Sequence, residues 1–357
     1  MEYYERQGVN GESLNLRVRR LLRESPLIDG HNDMPWRYLR DYDNNLDALD
    51  FSKDTSKACP KMLSDIPRLR AGCVGGCFWA VFIPDDWANG GKAYRAALRQ
   101  IQFVKDAAAR YSDDFEMAYS AGDIRRIHAS GKIASLIGME GAHTLEGRPE
   151  RIEEFYNLGA RYLTLGCADS NAFADAAAGT PRHGGLSPLG KEAIRIMNRI
   201  GMMIDLSHTS YETMRDALDL TDAPIIFSHS NARALCDSPR NVPDDILTRT
   251  AQCGGIIMAT FVPMFLSAER NKNPDAPTPP LSAVADHIDY ICEKAGVNYA
   301  GIGSDFGGFI PPPPIGLPDA SAFPALFEEL ARRGYSDEDL KKIAGENILR
   351  VMDAVSR

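Results

Sequence analysis

The segment LIDGHND, residues 27–33, carries the pattern that decides the fold of this 357-residue chain. Apolar residues open the segment, and a histidine and a carboxylate close it. Apolar residues are likewise followed by a histidine, a carboxylate or both in GMEGAH at 138–143, MIDLSH at 203–208 and IIFSHS at 225–230. Short apolar runs of this kind are typical of strands buried on both faces of a parallel sheet.

Eight such strands are predicted, separated by amphipathic stretches with helical spacing of their apolar residues. They cover residues 26–29, 76–82, 134–139, 162–166, 202–206, 224–228, 255–261 and 299–303. Eight strands alternating with helices predict an α/β fold, the (β/α)8 TIM barrel. An open doubly wound sheet with an appended domain is the alternative, although no GxGxxG or GxxxxGK[ST] fingerprint follows any strand.

Length by itself allows two domains of roughly 150 residues each, but barrels of this type often run longer as one domain. We predict a single barrel domain over residues 1–357, with an N-terminal helical extension. The last helix is expected over 337–355. Two proline-rich loops, 271–280 and 311–318, follow the seventh and eighth predicted strands, so they should rise over the C-terminal face of the barrel.

Composition excludes several classes of partner. The formal charge of −9 disfavours nucleic acid, whose phosphates require a basic surface. No window approaches the roughly 20 apolar residues of a membrane span, and the start MEYYERQGVNGESLN lacks the pattern of a signal peptide. Seven scattered cysteines without a CxxC pair indicate reduced, packed thiols. We therefore expect a cytoplasmic protein that binds neither membrane nor nucleic acid.

Metal-binding types of side chain recur where the predicted strands end. They are His31, Asp33, Glu140, His208, His229 and Asp305. Residues two apart in an extended segment face the same way, so His31 and Asp33 can bind one ion together. Taken singly, a strand-end histidine is more often a loop or capping residue, and Glu140 could equally be a solvated charge. Jointly, side chains at the ends of different barrel strands converge on one mouth, which predicts a metal site.

The ligand types favour Zn²⁺, with Mn²⁺, Co²⁺ or Fe²⁺ as alternatives. One ion needs three or four ligands, and this set offers more. Glu140 could bridge two ions about 3.5–4 Å apart, with hydroxide as a second bridge. No lysine lies at a suitable strand end to act as a carbamylated bridge instead.

Five segments together resemble the renal (membrane) dipeptidase family of the amidohydrolase superfamily: LIDGHNDMPW, GMEGAH, MMIDLSHTS, FSHSNARALCDSPRNVPDDIL and GIGSDFGG. The resemblance implies a barrel with two zinc ions per subunit, usually in a homodimer, that hydrolyses dipeptides, often with a D-residue at the C-terminal position. It implies that His31 and Asp33 hold one metal, that Glu140 bridges both, and that His208 and His229 hold the second.

Two further roles follow from the resemblance. Asp305 resembles the general acid/base that carries a proton from water to the leaving amine, so the predicted catalytic residues are Asp305 and Glu140. Arg240, in SPRNVPDD, resembles the residue that pairs with the free carboxylate of the dipeptide. Arginine offers the bidentate geometry that this role needs. Without the family context, Arg240 could as well form a surface salt bridge.

Three departures from the family pattern stand out. Cys167 occupies the position of a histidine that contacts the scissile carbonyl oxygen in relatives. A thiol is a weak donor, and losing one such donor typically removes about 2–4 kcal/mol of transition-state stabilisation. Gly307 stands where relatives often have a second aspartate. Asp85 and Asp169 replace half-cystines of secreted relatives, which fits a cytoplasmic, disulfide-free protein.

Cys167 leaves three possibilities open. His143 or His183 reaches the carbonyl oxygen instead, the substrate differs, or activity is low; we favour a different substrate. The sequence thus predicts a zinc-dependent dipeptidase in which Arg240 and Cys167 contact the substrate. The alternatives are a binuclear hydrolase of another carboxylate-bearing small amide, such as an N-acyl amino acid or a lactam, and a catalytically weakened accessory homologue.

Overall fold

The structure, a computed structural model, describes residues 12–88, 90–309 and 312–356. Residues 1–11 of the predicted N-terminal extension and the first residue of the second proline-rich loop lie outside the described residues. Nine parallel strands form one sheet: β1 Leu27–Asn32, β2 Val74–Phe82, β3 Phe115–Met117, β4 Ile133–Glu140, β5 Ala160–Thr164, β6 Met203–Asp205, β7 Ile225–Phe227, β8 Ile256–Ala259 and β9 Ala300–Ile302.

Eight of these strands close into a barrel. β1 pairs with β2 on one side and with β9 on the other, and β2 pairs with β4 along its length. From β4 the order continues through β5, β6, β7 and β8 to β9. The predicted (β/α)8 barrel is therefore confirmed, and the open doubly wound sheet is excluded.

The short strand β3 was not predicted. It pairs with the first half of β4, through Phe115 and Ile133, on the side where β5 pairs with the second half. Its three residues, FEM, are too few to show a period of two. Predicted strands three to eight therefore correspond to β4 to β9.

Fifteen α-helices accompany the sheet in the described ranges: α1 Leu14–Glu24, α2 Met34–Tyr42, α3 Ile66–Ala71, α4 Lys92–Arg110, α5 Ala121–Ala129, α6 Arg151–Asn157, α7 Pro188–Ile200, α8 Tyr211–Leu220, α9 Asp244–Gln252, α10 Pro263–Leu266, α11 Ala268–Lys272, α12 Leu281–Ala295, α13 Phe323–Arg332, α14 Asp337–Lys341 and α15 Asn347–Val355. Side-chain caps fix several starts. Ser210 accepts a hydrogen bond from the backbone of Thr213, and Ser336 forms a capping box with Asp339.

The helix predicted over 337–355 is confirmed in its bounds, but it is not α-helical throughout. A π-helical turn, Lys342–Glu346, separates α14 from α15. Gly345 lies in this turn against the entry to β1, where an added Cβ would lie 2.1 Å from the carbonyl oxygen of Pro26. The close approach of two backbones requires glycine here, and the extra residue of the turn accommodates the contact.

The mouth of the barrel is surrounded by buried strands and covered by long loops. Every residue of β1 and β4 is buried. The two proline-rich loops pair with each other, because Leu281 N donates to Ile315 O at 2.8 Å and Ile315 N donates to Pro279 O at 3.0 Å. Within the described residues, no helix has the length and apolar content needed to cross a membrane.

The contact at Gly345 predicts a stability effect. We expect Gly345→Ala to lower the free energy of unfolding by about 1–3 kcal/mol, because the methyl group must displace packed backbone. Gly122→Ala is the matched control, since Gly122 is exposed on α5 and its nearest neighbour to an added Cβ is Ser120 Oγ at 3.7 Å. Urea unfolding measures both variants. Equal stability of the two would contradict the proposed backbone contact.

Candidate active site

The six side chains that were predicted as candidate metal-binding groups lie together at the carboxyl ends of the strands. Two lie at the ends of β1 and β4, and the others lie in the segments after β1, β6, β7 and β9; the six are His31, Glu140, Asp33, His208, His229 and Asp305. Two overlapping groups have ligand atoms within 4.8 Å of one another, namely His31 with Glu140 and His229, and His31 with Asp33 and Asp305. The barrel thus converts six distant sequence positions into one cluster.

Glu140 is the centre of this cluster. Its Oε2 lies 3.1 Å from His31 Nε2, and its Oε1 lies 3.1 Å from His208 Nε2. Asp33 Oδ2 lies 3.5 Å from His31 Nε2, and His229 Nε2 lies 2.8 Å from His208 Nε2. The two oxygens of one carboxylate therefore face two different sets of ligands, as a bridging carboxylate would.

The ring of His31 is oriented by a tyrosine that the sequence analysis did not single out. His31 Nδ1 lies 2.9 Å from the hydroxyl of Tyr162, and that hydroxyl donates to the carbonyl oxygen of Gly30 at 3.2 Å. The hydroxyl therefore accepts the proton of Nδ1, so Nε2, which faces Glu140, is the nitrogen that can bind a metal ion when it gives up its proton. Hydrogen bonds of this kind fix the tautomer of a metal-ligating histidine.

A serine and an aspartate do the same for His229. Its Nδ1 lies 2.8 Å from Ser228 Oγ, which donates to Asp205 Oδ2 at 2.6 Å. Ser228 Oγ is then free to accept the Nδ1 proton, so His229 Nε2 keeps its lone pair. Asp205 also accepts from the hydroxyl of Thr164 at 2.5 Å and from the backbone of Ser207 at 3.0 Å. In the sequence, this network is indicated only by the position of Ser228 directly before the predicted ligand His229.

The charges of the cluster favour bound cations. Burial and the nearby rings of His31 and His208 hold the pKa of His229 well below its usual range. Burial opposes protonation of His31, but Glu140 and Asp33 raise its pKa to about 10. Asp33 Oδ2 is buried without a hydrogen-bond partner. Facing imidazole nitrogens and an unpartnered carboxylate oxygen form a donor set that fits divalent metal ions.

Backbone geometry at the rim is unusual in a way that brings the side chains inward. His208 and Asp305 have φ values of 66° and 62°, a region that non-glycine residues rarely adopt. An added Cβ at Gly308 would lie 2.3 Å from Asp305 Oδ1 and 2.4 Å from Asp33 Oδ2. Gly307 has a φ of 93°, a conformation that residues with a side chain rarely adopt.

A cavity of about 270 Å³ opens beside the cluster. Its walls include four aromatic side chains and five charged or ionisable ones: Trp36, Phe82, Phe265, Phe309, Asp33, Glu140, His208, Arg240 and Asp305. Arg240 is 6 % exposed, and its Nε and Nη1 have no hydrogen-bond partner. Burial lowers the pKa of Arg240, whereas Asp305 and Glu140 raise it. An unpaired guanidinium in a cavity wall fits an anionic group of a ligand.

Cys167 is buried in the wall of the same cavity, and all seven cysteines are free thiols. Burial and the carboxylates of Glu140 and Asp85 raise the pKa of the Cys167 thiol, which makes it a poor nucleophile.

Neither histidine proposed to compensate for Cys167 lies among the described residues that line this cavity. His143 Nε2 bonds to the carbonyl oxygen of Ile83 at 2.8 Å, and its ring lines a neighbouring cavity of about 410 Å³, together with Asp85 and Asp169. His183 Nε2 bonds to the carbonyl oxygen of Asn171 at 2.8 Å.

Fold and site together define a class, that of metal-dependent hydrolases on a (β/α)8 barrel. Residues 16–357 match the family model of membrane dipeptidase, peptidase family M19. The chain belongs to this family and is a metallo-dipeptidase.

Two curated relatives support the assignment. The chain is 40 % identical to dipeptidase verJ of Clonostachys rogersoniana over 349 residues, which cover 94 % of this chain and 86 % of the relative. It is 41 % identical to an uncharacterized dipeptidase of Schizosaccharomyces pombe over 344 residues, which cover 93 % and 81 %.

Solved structures share the fold. The probable dipeptidase PvdM of Pseudomonas aeruginosa superposes with a TM-score of 0.86 at 24 % identity, over 96 % of this chain and 98 % of that one. A metallopeptidase of Rhodobacter sphaeroides, liganded with a phosphinate mimic of the dipeptide L-Ala-D-Ala, superposes with a TM-score of 0.81 at 24 % identity, over 93 % and 99 %.

The bond between Ser228 and His229 predicts a change in metal affinity. We expect Ser228→Ala to weaken Zn²⁺ binding by roughly 10- to 100-fold, because His229 loses the group that fixes its tautomer. Ser230→Ala is the control, since the hydrogen bond of Ser230 Oγ among the described residues is to Ser207 Oγ, at 3.4 Å, and not to a histidine. Competition with a chromophoric chelator measures both affinities. Indistinguishable values for the two variants would contradict the positioning role of Ser228.

Proposed function

We propose that this protein hydrolyses the peptide bond of small dipeptides and uses two Zn²⁺ ions per subunit. One observation carries the proposal: the two oxygens of Glu140 face His31 and His208 at equal distances of 3.1 Å. In this proposal His31 and Asp33 hold one ion, His208 and His229 hold the other, and Glu140 contacts both. A bound pair of this kind supplies a water that is nucleophilic at neutral pH and polarises a carbonyl group.

The location of Asp305 and its raised pKa support a role as the proton carrier. It lies within the group formed with His31 and Asp33, and burial together with Glu140 raises its pKa, while His31 acts in the opposite direction. A carboxyl group with a raised pKa can take a proton from water and release it to a leaving amine near neutral pH. We therefore assign this transfer to Asp305.

Arg240 and the aromatic walls define the substrate. The guanidinium would bind the C-terminal carboxylate of a dipeptide, which favours exopeptidase action on a free carboxylate. The cavity of about 270 Å³ lies below the usual range of drug-sized sites, roughly 300–1,000 Å³. A small substrate fits this volume better than a longer peptide does.

Cys167 favours a substrate that differs from those of relatives with histidine at this position. Its thiol is a weaker donor to the carbonyl oxygen, so substrate binding has to contribute more through Arg240 and the apolar walls. We include L,L and L,D dipeptides in the substrate panel, since the Rhodobacter protein was solved with a mimic of L-Ala-D-Ala. The homodimer and the cytoplasmic location stay predictions from the sequence.

Asp305 provides the test of the chemical step. We expect Asp305→Asn to lower kcat on the best dipeptide by roughly 10²- to 10⁴-fold, because the amide cannot carry the proton. Mass spectrometry of the metals should find unchanged zinc content. Asp275→Asn, an exposed position in the proline-rich loop above the barrel, should retain full activity. If the zinc-loaded wild-type enzyme hydrolyses no dipeptide of the panel, the proposed function is wrong.

Arg240 provides the test of carboxylate recognition. We expect Arg240→Gln to raise KM for a dipeptide roughly 10- to 100-fold, because one charge-assisted contact is lost. The C-terminal amide of the same dipeptide should bind weakly to the wild type and respond little to the substitution. Arg240→Lys should rescue only part of the loss, since lysine lacks bidentate geometry. Equal effects on both substrates would contradict this assignment.

A further inference from the structure

A second cluster of metal-type side chains lies beside the candidate active site. Asp85, His143 and Cys167 each offer one ligand atom, and these three atoms lie within 4.8 Å of one another. They combine a carboxylate oxygen, an imidazole nitrogen and a sulfur. None of the three belongs to the ligands assigned above to the pair of ions at Glu140.

The orientation of the His143 ring favours binding of a cation. Its Nε2 donates to the carbonyl oxygen of Ile83 at 2.8 Å, so the neutral ring has its lone pair on Nδ1. The residue is 4 % exposed, and Nδ1 has no hydrogen-bond partner. Nδ1 nevertheless lies 3.4 Å from Asp85 Oδ1. A buried lone pair that faces a carboxylate is unfavourable unless a proton or a metal cation lies between them.

The local chain holds the other two donors around this nitrogen. The backbone N of Ala168 donates to Asp85 Oδ2 at 3.2 Å, which leaves Oδ1 directed towards His143. An added Cβ at Gly141 would lie 2.3 Å from His143 Nδ1 and 3.1 Å from Cys167 Cβ. Glycine at 141 thus leaves room for the imidazole beside Cys167.

We propose that Asp85, His143 and Cys167 bind a third divalent cation, one that accepts sulfur and nitrogen ligands as Zn²⁺ does. Three protein ligands leave a coordination position for water, and Asp85 and His143 line the adjacent cavity of about 410 Å³, from which an ion and water can enter. Since Cys167 also lines the cavity of about 270 Å³, this ion would lie next to a dipeptide bound in that cavity, as the proposed function has it.

Cobalt titration distinguishes this site from the pair at Glu140. Co²⁺ bound by a thiolate gives a charge-transfer absorption band in the near ultraviolet, whereas the ligands assigned at Glu140 include no sulfur. We expect the full-length protein, stripped with a chelator and titrated with Co²⁺ alone, to bind about three equivalents and to develop this band. The band depends on Cys167 alone, so it tests the third site independently of dipeptide hydrolysis.

Variants locate the ion. Cys167→Ser should abolish the band and remove about one equivalent, and Asp85→Asn and His143→Gln should each weaken Co²⁺ binding at this site at least 10-fold. Cys253→Ser, which changes a thiol bonded to Thr250 O away from the cluster, should keep both band and stoichiometry. Circular dichroism verifies folding of each variant. Absence of the band in the wild type, or its survival in Cys167→Ser, would overturn the site at Cys167. A Cys167-dependent band at about two equivalents would instead contradict the proposed pair of ions at Glu140.

Discussion

The burial of the Glu140 carboxylate between two imidazoles is the interaction on which the rest of the site depends. A carboxylate that is 5 % exposed is unfavourable unless positive charge or strong donors surround it. His31 and His208 approach its two oxygens from opposite parts of the barrel, and Tyr162 holds the His31 ring in place. The closure of eight strands into a ring makes this possible, because it places their carboxyl ends around one small mouth.

The sequence predicted well what depends on short segments. The run LIDGHND predicts a buried strand that ends in candidate metal ligands, because the apolar start and the two polar side chains that face the same way lie within seven residues. Inspection of the ends of the other predicted strands identified all six side chains that lie together at the mouth of the barrel. Their roles as metal ligands and proton carrier stay predictions. The partners of the histidines could not be found this way. Tyr162 is 131 residues from His31, and nothing in either segment indicates the contact.

The features that the sequence did not predict have the same physical origin. β3 is held by pairing with β4, and its three residues have no pattern of their own. The π turn at Gly345 exists because the backbone meets Pro26 from the other end of the chain. Apolar periodicity of the last helix is continuous in sequence, so only the packed barrel reveals the interruption. Local patterns therefore determine elements, whereas contacts across the barrel determine where those elements break.

Cys167 lines the cavity of about 270 Å³ and also belongs to the cluster with Asp85 and His143, which line the neighbouring cavity. Towards the dipeptide cavity it is a weak donor in the place where relatives have an imidazole. Towards Asp85 and His143 it completes a set of oxygen, nitrogen and sulfur atoms within 4.8 Å, beside an imidazole nitrogen that has no partner. A histidine at 167 would bring no sulfur to this set. In the two proposals, the same residue would give a weak contact to the scissile bond as a thiol and would bind a cation as a thiolate.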